Sequence, residues 1–358
     1  GGGFFMSGPS GGCKALRSRF KALPRYRSIA IAGTALIAVV HAGLPDPARA
    51  QESTISTQEG FSRLEASAGT RGAGSFPFDY QHLAFYPSST GEVDLWTAVS
   101  VHAGRVRGVF EGGWKYDLEL RTMLYRDGVE VARDRSRVRH VLNRQIPPRS
   151  TDGFPIQTRV RVRPGEYSYR IEVRDLNWEG DRSLNIQEGE VVVPPFDRSG
   201  PFISSVAIAA DSGGAWSPSP GVLLKLNAAR MIQTDTRPFV YFEVYGLTPG
   251  ETYRGEVRLV SSWTSSGTGE VFTGVRQPFQ LQYRGTSPEE PAQPVRSALR
   301  LDMKDTRPGP YKVLVRFTDS ATGKKTEVRE AGLRVRDPEE SSNTQPIAEV
   351  GEEVTGGR

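Results

Sequence analysis

Apolar and polar residues alternate one by one through most of this chain, and that period is the signature of β-strands. Val93-Asp94-Leu95-Trp96-Thr97-Ala98-Val99-Ser100-Val101 alternates, as does Tyr116–Tyr125 with one slip near its end, and Tyr167–Arg174 does so cleanly. Successive side chains of a strand point to opposite faces, so each run predicts one apolar face for a core and one polar face for water. Asp127-Gly128 lies between Tyr116–Tyr125 and Val129–Val131, where it predicts a tight hairpin. After residue 51 no helical period extends beyond about two turns. Leu223–Ile232 is the best short helical candidate.

The alternation repeats on a larger scale. Arg163-Pro164-Gly165-Glu166-Tyr167 and Arg307-Pro308-Gly309-Pro310-Tyr311 each open an alternating run that ends in an aspartate, Asp175 and Asp319, 144 residues apart. Leu95–Val99 and Phe242–Tyr245 match at an offset of 147. Two landmarks at one period predict two copies of one β-domain. Pro-Gly makes a tight turn, and a Tyr just after it resembles the tyrosine corner of immunoglobulin-like sandwiches, whose hydroxyl bonds back to the main chain. Pro194-Pro195, incompatible with a central strand, marks the boundary. The expected fold class is therefore all-β, with two tandem immunoglobulin- or fibronectin-like sandwiches over 77–196 and 197–337. The short linker implies restricted relative motion.

The chain ends read differently. Lys14, Arg17, Arg19, Lys21, Arg25 and Arg27 precede an apolar run from Ile29 to Val40, and Ala48-Arg49-Ala50 follows Pro45 and Pro47. That order is a signal peptide over residues 1–50, with cleavage expected between Ala50 and Gln51; an anchor helix left uncleaved is the alternative. Residues 51–76, rich in Ser, Thr, Gly, Ala and Glu, are expected to be a flexible leader, and residues 338–358, rich in Glu, a disordered acidic tail. The whole chain carries a net charge of +5 from 46 basic and 41 acidic residues. Seven of the basic residues and one of the acidic ones fall in the first fifty, so the remainder holds 39 and 40, a net charge of −1. Near-neutrality and export both argue against nucleic acid as a partner. The single Cys, Cys13, lies in the same segment, which leaves no disulfide framework; a periplasmic or extracellular location is expected.

Sequence signals for chemistry are sparse. His82, His102 and His140 stand at no metal-ligand spacing, and no H-E-x-x-H, nucleophile elbow or P-loop occurs. The reading is a non-enzyme with no cofactor and no metal. A hydrolase would need a site assembled from distant residues at the junction of the two domains. Asp175, Asn177 and Asp181 supply oxygens, but at a spacing that fits a solvated turn better than a Ca²⁺ loop. Trp96, on the same strand face as Asp94 and Ala98, and Trp178, Trp216 and Trp263, in or near loops, are candidates for stacking on a sugar or anchoring a partner. Arg135, Arg137 and Arg139 form the densest basic run, and Arg159, Arg161 and Arg163 a one-faced ladder. Together they suggest a basic stripe for an acidic lipid, polysaccharide or protein, or else a solvated strand face that deters edge-to-edge pairing.

The runs Pro164-Gly165-Glu166-Tyr167, Ile171–Asn177, Val240–Leu247 and Ser204–Ala209 resemble the N-terminal β-sandwich part of bacterial proteins named for a GWxTD motif, over roughly residues 80–335. The motif itself is absent here, Gly113-Trp114-Lys115-Tyr116-Asp117 being only superficially similar. The resemblance implies an exported two-sandwich architecture and supplies no catalytic residue. The functional expectation is an exported interaction or structural module with a protein partner, such as a brace on a membrane complex. A carbohydrate-binding module using the loop Trp residues is the alternative.

Overall fold

The computed structural model describes residues 56–71, 76–87, 91–148, 150, 152–196, 200–219, 222–262, 279–291, 293–303 and 306–337. The segment expected to be a signal peptide, with its expected cleavage site, the tail 338–358 and Trp263 lie outside them. The first element is a helix, α1 (Thr57–Ala66). Nine strands follow: β1 (Gly69–Arg71), β2 (Phe78–Phe85), β3 (Val93–His102), β4 (Val109–Phe110), β5 (Trp114–Arg126), β6 (Val129–Leu142), β7 (Gly153–Val162), β8 (Gly165–Asp175) and β9 (Leu184–Val193). Ten more complete the fold: β10 (Phe202–Ile203), β11 (Ala207–Ser219), β12 (Val222–Leu226), β13 (Met231–Gln233), β14 (Phe239–Tyr245), β15 (Thr252–Ser261), β16 (Phe279–Thr286), β17 (Val295–Arg300), β18 (Gly309–Asp319) and β19 (Arg329–Arg336). The described residues are all-β apart from α1 and short turns. Among the described residues no helix is long and apolar enough to cross a membrane.

Four sheets stack in the order outer, inner, inner, outer. The first outer sheet joins β6, β5, β8 and β9, with β4 on the end of β5, and the first inner sheet runs β1-β2-β3-β7. The second inner sheet places β10 and β11 along one side of β14 and β17 along the other, with β12 beyond β11. The second outer sheet runs β13-β19-β18-β15-β16. Each outer–inner pair encloses a core, one built on Phe78, Leu95, Leu118, Leu120 and Ile171, the other on Val240, Phe242, Val257, Val313 and Phe317.

The two halves match strand for strand: β3 with β14, β5 with β15, β6 with β16, β7 with β17, β8 with β18 and β9 with β19. The match extends to single atoms. Gly165 and Gly309 sit at φ +147° and +148°, a region open to glycine. The Tyr167 hydroxyl donates to the Arg163 carbonyl at 2.7 Å, and the Tyr311 hydroxyl to the Arg307 carbonyl at 2.8 Å. Asp175 accepts the Asn177 N–H at 2.9 Å, and Asp319 the Ala321 N–H at 3.0 Å. Asp127 and Gly128, both at positive φ, turn the β5–β6 hairpin where the sequence placed it.

The structure corrects three expectations. The leader is ordered between 57 and 66: Ser56 caps α1 through Glu59 N–H, and the helix buries Phe61 and Leu64 in the first core. Its Glu65 binds Arg230 at 2.8 Å. Ten residues hold too few apolar positions for a strong period, so packing rather than propensity fixes this helix. Leu223–Ile232 is not helical but spans β12 and β13. Leu224 and Leu226, with Val222 just before the segment, alternate toward the junction, a period of two that outweighs the helical reading. Finally, the second face of the inner sheets is not simply turned to water: over much of β2, β3 and β11 it is buried, while Arg159 and Arg161 of β7 stay exposed at its edge. A third core of Leu83, Phe85, Ala98, Ala207, Trp216, Leu224 and Tyr241 joins the two inner sheets face to face. All of β2 is buried, its polar Asp79, Gln81 and His82 included.

Candidate functional site

The face that the first inner sheet turns toward the second changes polarity along its length. Cross-strand rows read Phe85–Asp94–Arg161, Leu83–Trp96–Arg159, Gln81–Ala98–Gln157 and Asp79–Ser100–Pro155, with His102 beside Gly153 beyond them. At the Leu83 and Phe85 end the sheets close on Trp216 and Tyr241, with ring centroids 5.7 and 5.8 Å from Phe85. The Gln81 row is a polar seam, where the Gln81 side chain accepts from Arg230 at 2.9 Å. Beyond it the sheets part, and a cleft of about 250 Å³ opens between Asp79, Ser100, His102 and Asp152 on one wall and Lys225, Asn227, Thr236 and Arg336 on the other. Pro155, Leu226, Met231 and Ile232 supply its apolar lining.

Within the cleft His102 Nε2 lies 3.1 Å from Asp79 Oδ2. That contact assigns the Nε2 proton to the Asp79 bond and leaves Nδ1 as an acceptor in the neutral ring. The charge of Lys225 reaches across to His140: burial, and after it Lys225, holds the His140 imidazole below its ordinary range. His140 stacks on Phe154 at 4.4 Å. Its neighbour in kind, His82, is wholly buried, with Nδ1 3.1 Å from Thr97 Oγ1, and burial pulls its pKa down to about 4.

The sequence-derived candidates do not converge. Trp216 is fully buried and works as the centre of the junction core, not as a surface residue. Trp96 is half-buried beside it, at 6.0 Å between rings, with the Arg159 guanidinium 5.4 Å from its centroid. Trp178, 36% exposed, stands on the first sandwich with Arg107 at 5.2 Å. Phe110, 65% exposed and packed on Trp114 at 5.7 Å, adds an aromatic to that sandwich's surface that the sequence reading missed. Arg135, Arg137 and Arg139 do project from β6, but acids on β5 meet them. Glu119, almost wholly buried, takes Arg135, Arg137 at 2.6 Å and Arg121 at 2.7 Å, and Asp117 takes Arg139 at 2.6 Å. The expected basic stripe is thus a ladder of paired charges, because the strands' register sets Asp117 opposite Arg139 and Glu119 opposite Arg137. Arg161 is likewise held by Asp94 at 2.7 Å.

The aspartates of the repeat are structural. Asp175 is buried, and burial pushes its carboxyl above the usual range although Arg107 N–H, at 2.7 Å, and Asn177 N–H bind it. Burial pushes Asp319 upward as well, but the Thr248 hydroxyl at 2.6 Å and main-chain N–H groups carry it below that range. Among the described residues no cluster of three metal-ligating side chains occurs. The cleft was not legible, because its residues are spread between positions 79 and 336 and share no motif.

No protein-family model matches the chain, and no curated protein matches it. Solved structures with some likeness include Escherichia coli alpha-2-macroglobulin activated by porcine elastase, at 11% identity and a TM-score of 0.24 over 74% of this chain and 24% of that one. Another is the Streptococcus agalactiae AgI/II polypeptide BspA C-terminal domain, at 10% identity and a TM-score of 0.19 over 67% of this chain and 92% of that one. The chain thus spans about a quarter of the first of these. The likeness is one of β-rich architecture and carries no function.

Proposed function

We propose that this chain is an exported, non-catalytic structural or protein-binding module of two fibronectin-like sandwiches, a rigid element that braces a partner assembly outside the cytoplasm. The observation that carries this reading is the junction. Two sandwiches that merely followed one another would move independently. Here their inner sheets share a buried core, and the main chains cross-link where Ser205 N–H donates to the Ala84 carbonyl at 3.1 Å and Ala84 N–H to Ser205 Oγ at 2.8 Å. The linker is pinned as well: Tyr86 donates to the Pro194 carbonyl at 3.1 Å, and Phe196 packs on Tyr86, Phe202 and Tyr245. Helix α1 spans the same seam, with Phe61 in the first core and Glu65 on Arg230. A stack fixed in this way holds its distant faces at constant separation, which is what a brace needs. The two tyrosine corners and the order β6-β5-β8-β9 support the fibronectin-like assignment, as does the resemblance to the sandwich part of GWxTD proteins.

Cross-linking in intact cells with N-terminal mapping tests the proposal. The expected result is a chain that begins at Gln51 and cross-links to one partner at a few fixed positions. A full-length cytoplasmic chain, or a chain that cross-links to nothing, overturns it.

A further inference from the structure

We propose that the cleft between the sandwiches binds a small hydroxylated carboxylate of monosaccharide size, the chemistry of an acidic sugar. This stands apart from the bracing role. The cleft's volume of about 250 Å³ suits one sugar-sized ring rather than a chain of them. Its charges are divided between the walls, cations on one and carboxylates on the other, which suits a ligand with an anionic end and a hydroxylated end. Arg336, from the end of β19, and Lys225, from β12, line one wall, and neither forms an ion pair with a described side chain. The two carboxylates, Asp79, which holds the His102 ring, and Asp152, lie on the opposite wall. The guanidinium fork of Arg336 matches a carboxylate, and Lys225 adds charge without demanding geometry.

The opposite wall suits hydroxyls. Asp152 offers a carboxylate acceptor, and His102 offers Nδ1, because its other nitrogen is bound to Asp79. A neutral sugar would leave the cationic wall unused, and a bare carboxylate would leave the acceptors unused. Ligand and protein therefore meet at two kinds of contact from two sandwiches. The junction core holds those walls in place before anything binds, which lowers the ordering cost.

Calorimetric titration of the purified chain with galacturonate, galactose and acetate tests this, with ligand-induced shifts of the imidazole NMR signals as a second readout. Galacturonate is expected to bind one to one and at least tenfold more tightly than galactose or acetate. Arg336→Gln is expected to weaken it at least tenfold and Asp152→Asn severalfold, with Trp178→Ala unchanged. Both polar positions lie at the surface, and an unchanged thermal transition shows that the variants fold. The absence of saturable galacturonate binding overturns the proposal. So does equal binding of galactose or acetate, or full affinity in Arg336→Gln.

Discussion

Tyr167 donates its hydroxyl proton to the carbonyl oxygen of Arg163, four residues back, and so closes the turn that launches β8. Tyr311 makes the same bond to Arg307 at the start of β18. The two corners differ in one respect: the Arg126 guanidinium donates to the Tyr167 oxygen at 2.7 Å and lies 4.5 Å from its ring centroid. Tyr311→Phe is expected to cost about 1 kcal/mol, the worth of one hydrogen bond, and Tyr167→Phe about 2 kcal/mol, because it also strands a part-buried guanidinium. Urea unfolding of the two variants measures the difference, and equal losses would show that Arg126 contributes nothing.

Trp216 is the largest fully buried side chain, and it belongs to the junction. Trp216→Ala is expected to cost about 3–5 kcal/mol, as truncations of buried aromatics do. It is also expected to split unfolding into two transitions and to broaden the small-angle scattering envelope. Trp178→Ala, at an exposed site, is expected to stay within about 0.5 kcal/mol of the parent. A single unfolding transition in Trp216→Ala would show that the junction does not rest on this ring.

His82 gives the fold an acid limit. Its pKa falls to about 4 in the folded chain and is 6.5 when unperturbed, because burial disfavours the imidazolium. Between those values the unfolded chain binds the extra proton, so stability rises with pH there. The contribution is fully present above about pH 6.5, is lost as pH falls toward 4, and is on the order of 3 kcal/mol for a shift of this size. Urea unfolding at pH 4.5 and 7.5 is expected to show this loss in the parent and much less of it in His82→Gln. An equal pH dependence in both chains would assign it to other groups.

Helix α1 is expected to matter out of proportion to its length. Leu64→Ala empties a buried site between the helix and the first core and should cost about 2–4 kcal/mol. Glu65→Gln removes the carboxylate charge that faces Arg230 and should cost less, about 1 kcal/mol, since both side chains are partly exposed. Limited proteolysis is expected to cut within 57–66 in Leu64→Ala and not in the parent. Resistance in the variant would mean that the helix is held by other contacts.

Glu119 organises the outer face of the first sandwich through Arg121, Arg135 and Arg137. Substituting any one of the arginines by Gln is expected to change stability by less than about 1 kcal/mol, because each is largely solvated. Glu119→Gln leaves three cations around a buried site and should cost more than any of them. Thermal unfolding of the four variants checks the order, and an arginine variant as costly as Glu119→Gln would reverse it.

The sequence by itself determined the strands and their duplication. A side-chain period of two is a local property, so β3, β5 and β8 were legible from their own residues, as were the Asp127-Gly128 hairpin and the two Pro-Gly-x-Tyr corners. These depend on backbone preferences within a few positions. The role of the inner strands' second face was not legible. Asp94, Trp96, Ala98 and Ser100 read as a water-facing row, and only the approach of the second inner sheet buries them or turns them into a cleft wall. Helix α1 escaped notice because Phe61 and Leu64 gain their meaning from a core built by residues far along the chain. The paired fate of Arg135, Arg137 and Arg139 followed from a register that a run of arginines does not reveal. The cleft of His102, Asp152, Lys225 and Arg336 belongs wholly to tertiary structure, because it exists only where two sheets, joined at their apolar end, diverge at their polar end.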